Sequence, residues 1–378
     1  MKRREALCLM AAGVAVAALP RLALADAASG KVAVGAAWRG RRETDTHHIG
    51  VLEADWQARR LAIRYAVPLP SRPHGLLPEP DGGLIACAFR PGAWLMRCDG
   101  TGKVVRQVDV TQEGDGWTRL AGHAVISADG TRLYTTETDY RSGRGMIGVR
   151  DLATLKKLAQ WPSHGIDPHQ MLLDHEGHLI VANGGVPRTL QDRKVDLQRM
   201  DSSLVRLHRD SGELLGQWRL SDPRLSMRHI AWNFPPRDGD ELLGIAMQAE
   251  HDDARVRAQA PILAVYDGKR LMVPTRDNDG VGYCGDIAPA HRGGFVLTSH
   301  QPGLALLWHP GIPDRLQTVV KLENAYALTE WHGPGRGGGI LVATAVGMGR
   351  WHPEAQPTLL PWPQPMALDN HWVWVGEA

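Results

Sequence analysis

Charge of one sign is missing from this 378-residue chain: 43 Lys and Arg face 41 Asp and Glu, a formal net charge of +2. That balance excludes a nucleic-acid binder that works by neutralising phosphates. Beyond the first 25 residues there is no apolar run long enough to span a bilayer. No Gly-x-Ser-x-Gly elbow, Walker loop or His-Glu-x-x-His sequence is present, so the motifs that would identify a hydrolase, a nucleotide binder or a zinc protease at sight are lacking. Phenylalanine is nearly absent, at 3 residues. What the chain has is 42 Gly, 25 Pro and 13 Trp within a composition that is 43% hydrophobic. The apolar content argues against disorder, and the Gly and Pro, which weaken element interiors, argue against a mainly helical protein.

Residues 1–25 read as an export signal and are set apart from fold reasoning. Lys2-Arg3-Arg4 form a basic head, Ala6 to Leu19 an apolar stretch too short to span, and Ala23-Leu24-Ala25 a small-x-small cleavage site. The paired arginines fit the twin-arginine route, with a general secretion signal as the alternative. The expected location is the periplasm, without membrane insertion after cleavage. Taking Lys2, Arg3, Arg4, Arg21 and Glu5 from the 43 basic and 41 acidic residues leaves 39 and 40, a net charge of −1.

Residues 26–378 repeat. Short β-rich runs such as Leu84 to Phe89, Leu133 to Thr138, Leu179 to Asn183, Phe295 to His300 and Ile340 to Ala345 recur about every fifty residues, seven in all. Each is followed by two further runs, and six are preceded by one. Gly-containing turns such as Asp81-Gly82, Asp129-Gly130 and Asp267-Gly268 link them. Four antiparallel strands repeated seven times predict an all-β, seven-bladed β-propeller. The N-terminal unit lacks its first strand, and Met366 to Val375 is left over to supply it and close the ring. Two stacked sandwich domains are the alternative.

In a propeller the innermost strands start at one rim of the central channel, so polar side chains there converge on the axis. His74, His123, His169 and His229 open four successive blades, with Cys284 and Asp286 at the matching place in the next blade and Glu137 at a second-strand end. Neutral imidazole, thiolate and carboxylate are transition-metal ligands. These seven residues are the candidate metal site, with iron or copper as the metals considered. Histidines that merely cap strand ends are the alternative. His47-His48 and Asp174 to His178 have metal-like spacings but fall at turns or outer strands. Cys87 and Cys98 flank the Pro91-Gly92 turn, where a cross-hairpin disulfide is one of two open states.

Thr135 to Asp139, Ser163 to Gln170, Val181 to Val186, Ser202 to Leu204, Arg228 to Ile230 and Gly282 to Asp286 together resemble the bacterial exported family called domain of unknown function 1513. The resemblance extends over about Val32 to Val375. It implies a propeller of the YVTN or quinoprotein amine dehydrogenase type, and a periplasmic role in iron or other metal acquisition beside imelysin-like and di-haem proteins. Gln170 stands where an acidic residue is usual in the family, and Thr138 where Asn is usual. The resulting expectation is a non-enzymatic metal-binding propeller. A lactonase-like hydrolase or oxidoreductase at the same rim, or a pure interaction scaffold, are the alternatives.

Overall fold

The computed structural model describes residues 30–234, 239–275, 280–332 and 337–377; the expected signal peptide lies outside them. The described chain forms strands β1 to β28, numbered in chain order, in seven four-stranded antiparallel sheets. This is the expected seven-bladed propeller. Helix is confined to a five-residue α-helix, Ala254–Ala258, and three short 3-10 turns among the described residues.

Closure is by the C-terminal strand. Blade 1 has the order β28 (Ala367–Glu377), β1 (Lys31–Arg39), β2 (His47–Asp55) and β3 (Arg60–Leu69). Val34 pairs with Trp374 and Ala36 with Trp372, so the last strand of the chain becomes the innermost strand of the first blade. Trp372 and Trp38 then pack with Trp331, Leu341, Met348 and Leu360 of the last blade.

The second strand of most blades is apolar on both sides because both sides are covered. In β5 (Leu84–Ala88) every residue is buried. Leu84, Ala86 and Ala88 pack with Ile49 and Val51 of blade 1, while Ile85 and Cys87 pack with Leu120 and Leu133 of blade 3. Alternation along a strand thus sends successive side chains to successive interfaces. The outermost strands need no such pattern, and β7 (Val104–Asp109) is largely exposed. The same alternation removes the disulfide. The hairpin register sets Cys87 opposite Leu95 and Cys98 opposite Leu84, and the two thiols lie in different blade interfaces, both free.

Blade interfaces carry the stability, since each fully buried large side chain contributes about 1.5–3 kcal/mol. Phe295, fully buried between blades 5 and 6 against Trp308 and Leu297, is one of only three phenylalanines. Phe295→Ala is expected to cost about 3–5 kcal/mol in urea unfolding. A loss below about 1 kcal/mol would show that this interface is not part of the cooperative core.

Candidate metal centre

The innermost strands of blades 1 to 5 are β28, β4 (Pro73–Pro78), β8 (Thr118–Ile126), β12 (Pro168–Leu173) and β16 (Leu225–Trp232). Each carries one histidine, and each histidine sits in a break of register. The ladder skips between Pro73 and Leu76, Leu120 and Ala124, Pro168 and Met171, and Met227 and Ile230. In β28 it skips between Leu368 and Trp372. His74, His123, His169, His229 and His371 therefore occupy bulges, which insert extra residues and re-aim a side chain out of the regular face. The innermost strands of the other two blades, β20 (Asp286–Ala290) and β24 (Leu328–Trp331), pair without a break and carry no histidine.

The five imidazoles close into a ring at the propeller axis that is folded across its middle, His123 and His371 being also 4.6 Å apart. Successive ring centroids are 4.7 Å apart for His74 and His123, 4.8 Å for His123 and His169, 4.8 Å for His169 and His229, 4.1 Å for His229 and His371, and 4.6 Å for His371 and His74. All five are buried. Glycine makes the close approach possible. Gly122 has φ +113°, and a Cβ there would lie 2.6 Å from His74 Cδ2, so any other residue at this position forces the imidazole away.

The nitrogens point at one another. Nε2 of His229 lies 2.9 Å from Nε2 of His169 and 2.9 Å from Nε2 of His371. One ligand atom from each of His74, His123, His169 and His229 falls within a common 4.8 Å, as do atoms of His229, Asp286 and His371. Both nitrogens of His74, Nε2 of His123 and Nδ1 of His229 have no hydrogen-bond partner. Buried polar groups left so cost about 1–3 kcal/mol each, and a cation bound by Nε2 of His74 and Nε2 of His123 offsets that cost for those two. Ligand atoms of a tetrahedral site with bonds of 2.0–2.1 Å stand about 3.3 Å apart, a value between the 2.9 Å of the two closest pairs and the 4.8 Å that encloses the four-histidine set.

Burial holds all five imidazoles uncharged. His74, His123 and His169 are pushed well below the ordinary histidine range, first by burial and then by neighbouring imidazoles and arginines. Burial likewise takes His229 and His371 down to about 3. The neutral form is the one that ligates metal.

Carboxylates stand behind the ring. Asp286 Oδ1 is 3.4 Å from His229 Nδ1 and 4.0 Å from His371 Nδ1, and its carboxylate accepts from the backbone N–H groups of Ile287 and Leu328. Burial pushes Asp286 up to about 6. Asp369 Oδ1 lies 3.6 Å from His74 Nδ1 and is gripped by both ends of the Arg72 guanidinium at 2.6 and 3.1 Å. A carboxylate behind a ligating imidazole fixes its orientation and raises its basicity.

The expected site is redrawn at two residues. Glu137 is not at the ring. Thr136 is the residue opposite the β8 bulge, its hydroxyl meeting the backbone of His123, and Glu137, one residue on, faces away. Its carboxylate accepts from Arg150 at 2.9 Å and Lys157 at 2.8 Å, where Arg150, fully buried, also forks onto Glu113. Cys284 is also elsewhere. It packs with Ile262, Ile287, Phe295 and Leu297, its thiol donates to the Asp286 carbonyl at 3.2 Å, and burial keeps it protonated. His74, His123, His169, His229 and Asp286 are brought together as the repeat register implied. His371 was missed, although it precedes Trp372-Val373-Trp374-Val375 as the other four precede their apolar runs. Gln170 accepts from the Ile230 N–H at 2.6 Å and ties blades 4 and 5 together beside the ring.

Beside the ring, reached through the Arg72–Asp369 pair next to His74, lies a cavity of about 590 Å3 lined by Arg72, Asp369, Tyr283, His300, Tyr326 and Trp38 among others. His300 and Tyr326 stack with centroids 5.2 Å apart.

The fold and this geometry define a seven-bladed propeller with a ring of buried imidazoles at its axis. The chain belongs to the family described as Protein of unknown function (DUF1513), whose model matches residues 67–375. No curated protein matches it. Among solved structures, hydrazine synthase of Kuenenia stuttgartiensis is similar at a TM-score of 0.58 and 14% identity, covering 84% of this chain and 92% of that one. Virginiamycin B lyase from Staphylococcus aureus is similar at a TM-score of 0.54 and 11% identity, covering 78% of this chain and 85% of that one. A streptogramin B lyase is similar at 0.55 and 11% identity, with 78% and 84% covered. At these identities the likeness is one of fold.

Two outcomes are expected. Glu137→Ala leaves Arg150 and Lys157 with Glu113 alone, and breaking a buried pair in this way costs about 3–5 kcal/mol; metal content should not change. The second concerns acid. An unfolded histidine takes up a proton near 6.5, whereas His229 and His371 in the folded, metal-free chain do so only near 3. Above 6.5 neither state binds the proton and stability is flat. Below it only the unfolded state does, so stability falls by about 1.4 kcal/mol per pH unit per histidine. Urea unfolding of chelated protein at pH 7 and pH 5 should show a loss steeper than one histidine produces. A flat profile would mean that the ring is not buried in solution.

Proposed function

We propose that this protein is an exported, periplasmic metal-binding propeller in which His74, His123, His169, His229 and His371 hold a transition-metal ion, with Asp286 and Asp369 orienting their imidazoles. The observation that carries the reading is that one ligand atom from each of His74, His123, His169 and His229 falls within a common 4.8 Å, with Nε2 of His229 at 2.9 Å from Nε2 of both His169 and His371. An imidazole nitrogen has one lone pair or one proton in the ring plane. Nε2 of His229 therefore cannot make two full hydrogen bonds at once, whereas a cation held by the four-histidine set takes up its lone pair. A set of neutral nitrogen donors without thiolate suits copper, iron, zinc or nickel rather than magnesium or calcium. Iron and copper are the metals we favour, with imelysin-like and di-haem periplasmic proteins as working partners. The protein's part is to bind: the imidazoles ligate, the carboxylates fix their tautomers, and the blades exclude water.

A second reading, an enzyme at the same rim, has the neighbouring cavity in its favour, since a pocket lined by a carboxylate, Asp369, and by His47 and His300 is where turnover would take place. The lyases among the fold neighbours are compatible with it.

Elemental analysis of the protein purified from periplasm tests the first reading. Wild type should carry close to one transition-metal ion per chain, and His123→Ala/His169→Ala and His371→Ala should each carry far less. Equal metal content in wild type and the double variant removes the reading.

A further inference from the structure

The residues that lie over the ring bear more positive than negative charge. Arg72 and Asp369 form one closed pair, and Lys194 bonds both oxygens of Glu250 at 2.6 Å as another. Between them remain three guanidiniums, Arg90, Arg188 and Arg228, against two carboxylates, Asp167 and Asp192. Arg228 donates to Asp167 at 2.8 Å, Arg188 to Asp192 at 2.9 Å, and Arg90 to Asp192 at 3.2 Å. Arg188 also lies 3.4 Å from Asp167. This layer touches the ring directly, because Arg90 Nη1 is 3.1 Å from His169 Nδ1 and Arg228 precedes His229 in the chain.

The layer has hydrogen-bonding capacity to spare. Arg228 is 1% exposed, yet its Nε has no hydrogen-bond partner, and its Nη2 faces only a Glu250 oxygen 3.9 Å away; Nε of Arg188 is the atom that lies 3.4 Å from Asp167, outside hydrogen-bonding geometry. The guanidinium fork is shaped for two oxygens of a carboxylate or phosphate. One net positive charge buried over uncharged imidazoles is already costly. A divalent metal below it, with Asp286 ionised, raises the surplus to two.

Resting on the reading of the ring as a metal site, we propose that the metal is taken up together with a small oxyanion, a carboxylate or a phosphate, seated against Arg228, Arg188 and Arg90. The anion and the metal help each other through His169. While Arg90 donates to Nδ1 of the neutral imidazole, the ring proton sits on Nε2, which then cannot ligate. An oxyanion that draws the Arg90 N–H away frees Nδ1. A proton leaves Nε2 for water and another is taken up at Nδ1, with no net change, and the Nε2 lone pair turns to the metal.

Cobalt(II), whose visible spectrum reports ligand number, is the probe, titrated into full-length metal-free protein in a non-coordinating buffer. The titration is repeated with millimolar acetate and with millimolar inorganic phosphate. Either anion competes for cobalt in free solution, so a rise in affinity has the opposite sign to that artefact. One anion should raise cobalt affinity about tenfold or more, and cobalt should raise the affinity for that anion by the same factor. Arg228→Met, which leaves Arg188 on Asp167, should still bind cobalt but lose the enhancement. Which anion acts tells a carboxylate from a phosphate ligand. Cobalt bound with equal affinity in all three media overturns the oxyanion proposal and leaves the metal site standing. No cobalt bound in any medium overturns the metal reading itself.

Discussion

Everything in this molecule depends on closing a ring of sheets that cannot be stable singly. A blade has two apolar faces and one neighbour for each, so any gap would expose the second strands to water on one side. Pairing of β28 with β1 removes that gap, and it places Trp372 against the last blade. The C-terminal strand is therefore a structural member of the first blade, and it brings His371 with it. Closure of the fold and completion of the imidazole ring are one event.

The axis is where seven innermost strands meet, and a regular ladder there would turn alternate side chains into blade interfaces. Five of the strands escape this by bulging at a histidine, while β20 and β24 stay regular. The ring is consequently asymmetric. Blades 1 to 5 give imidazoles and blade 6 gives Asp286, while the ends of β1 and β28 line the cavity beside them. An opening on one side of a buried donor set is the arrangement expected where something must reach the axis from outside.

The site is held at an energetic cost. Five imidazoles are kept uncharged, several of their nitrogens lack partners, and three guanidiniums crowd over them; burial brings Arg90 down to about 10. A protein selected only for stability would fill such a channel with apolar residues, since buried charges seldom improve on them. That the surplus is positive above and electron-pair donors lie below divides the site into an anion-facing layer and a cation-facing layer in direct contact.

Much of this was legible in the sequence. The repeat of apolar runs and Gly-containing turns set the number of blades, since strand period and turn chemistry are local properties. The leftover segment from Met366 revealed how the ring closes, and the common place of four histidines ahead of apolar runs marked them as one group. Register was not legible. A slip of one residue turns Glu137 from the axis to Arg150, and it takes Cys87 and Cys98 to opposite faces of the hairpin; neither slip leaves a mark in composition. The sequence by itself determined the architecture and the identity of most of the donors, because periodicity is written residue by residue. Only the tertiary structure decided which nitrogens meet, that His371 completes them, and that Arg90, Arg188 and Arg228 cover them, because those contacts join residues from separate blades whose side chains become neighbours when the ring shuts.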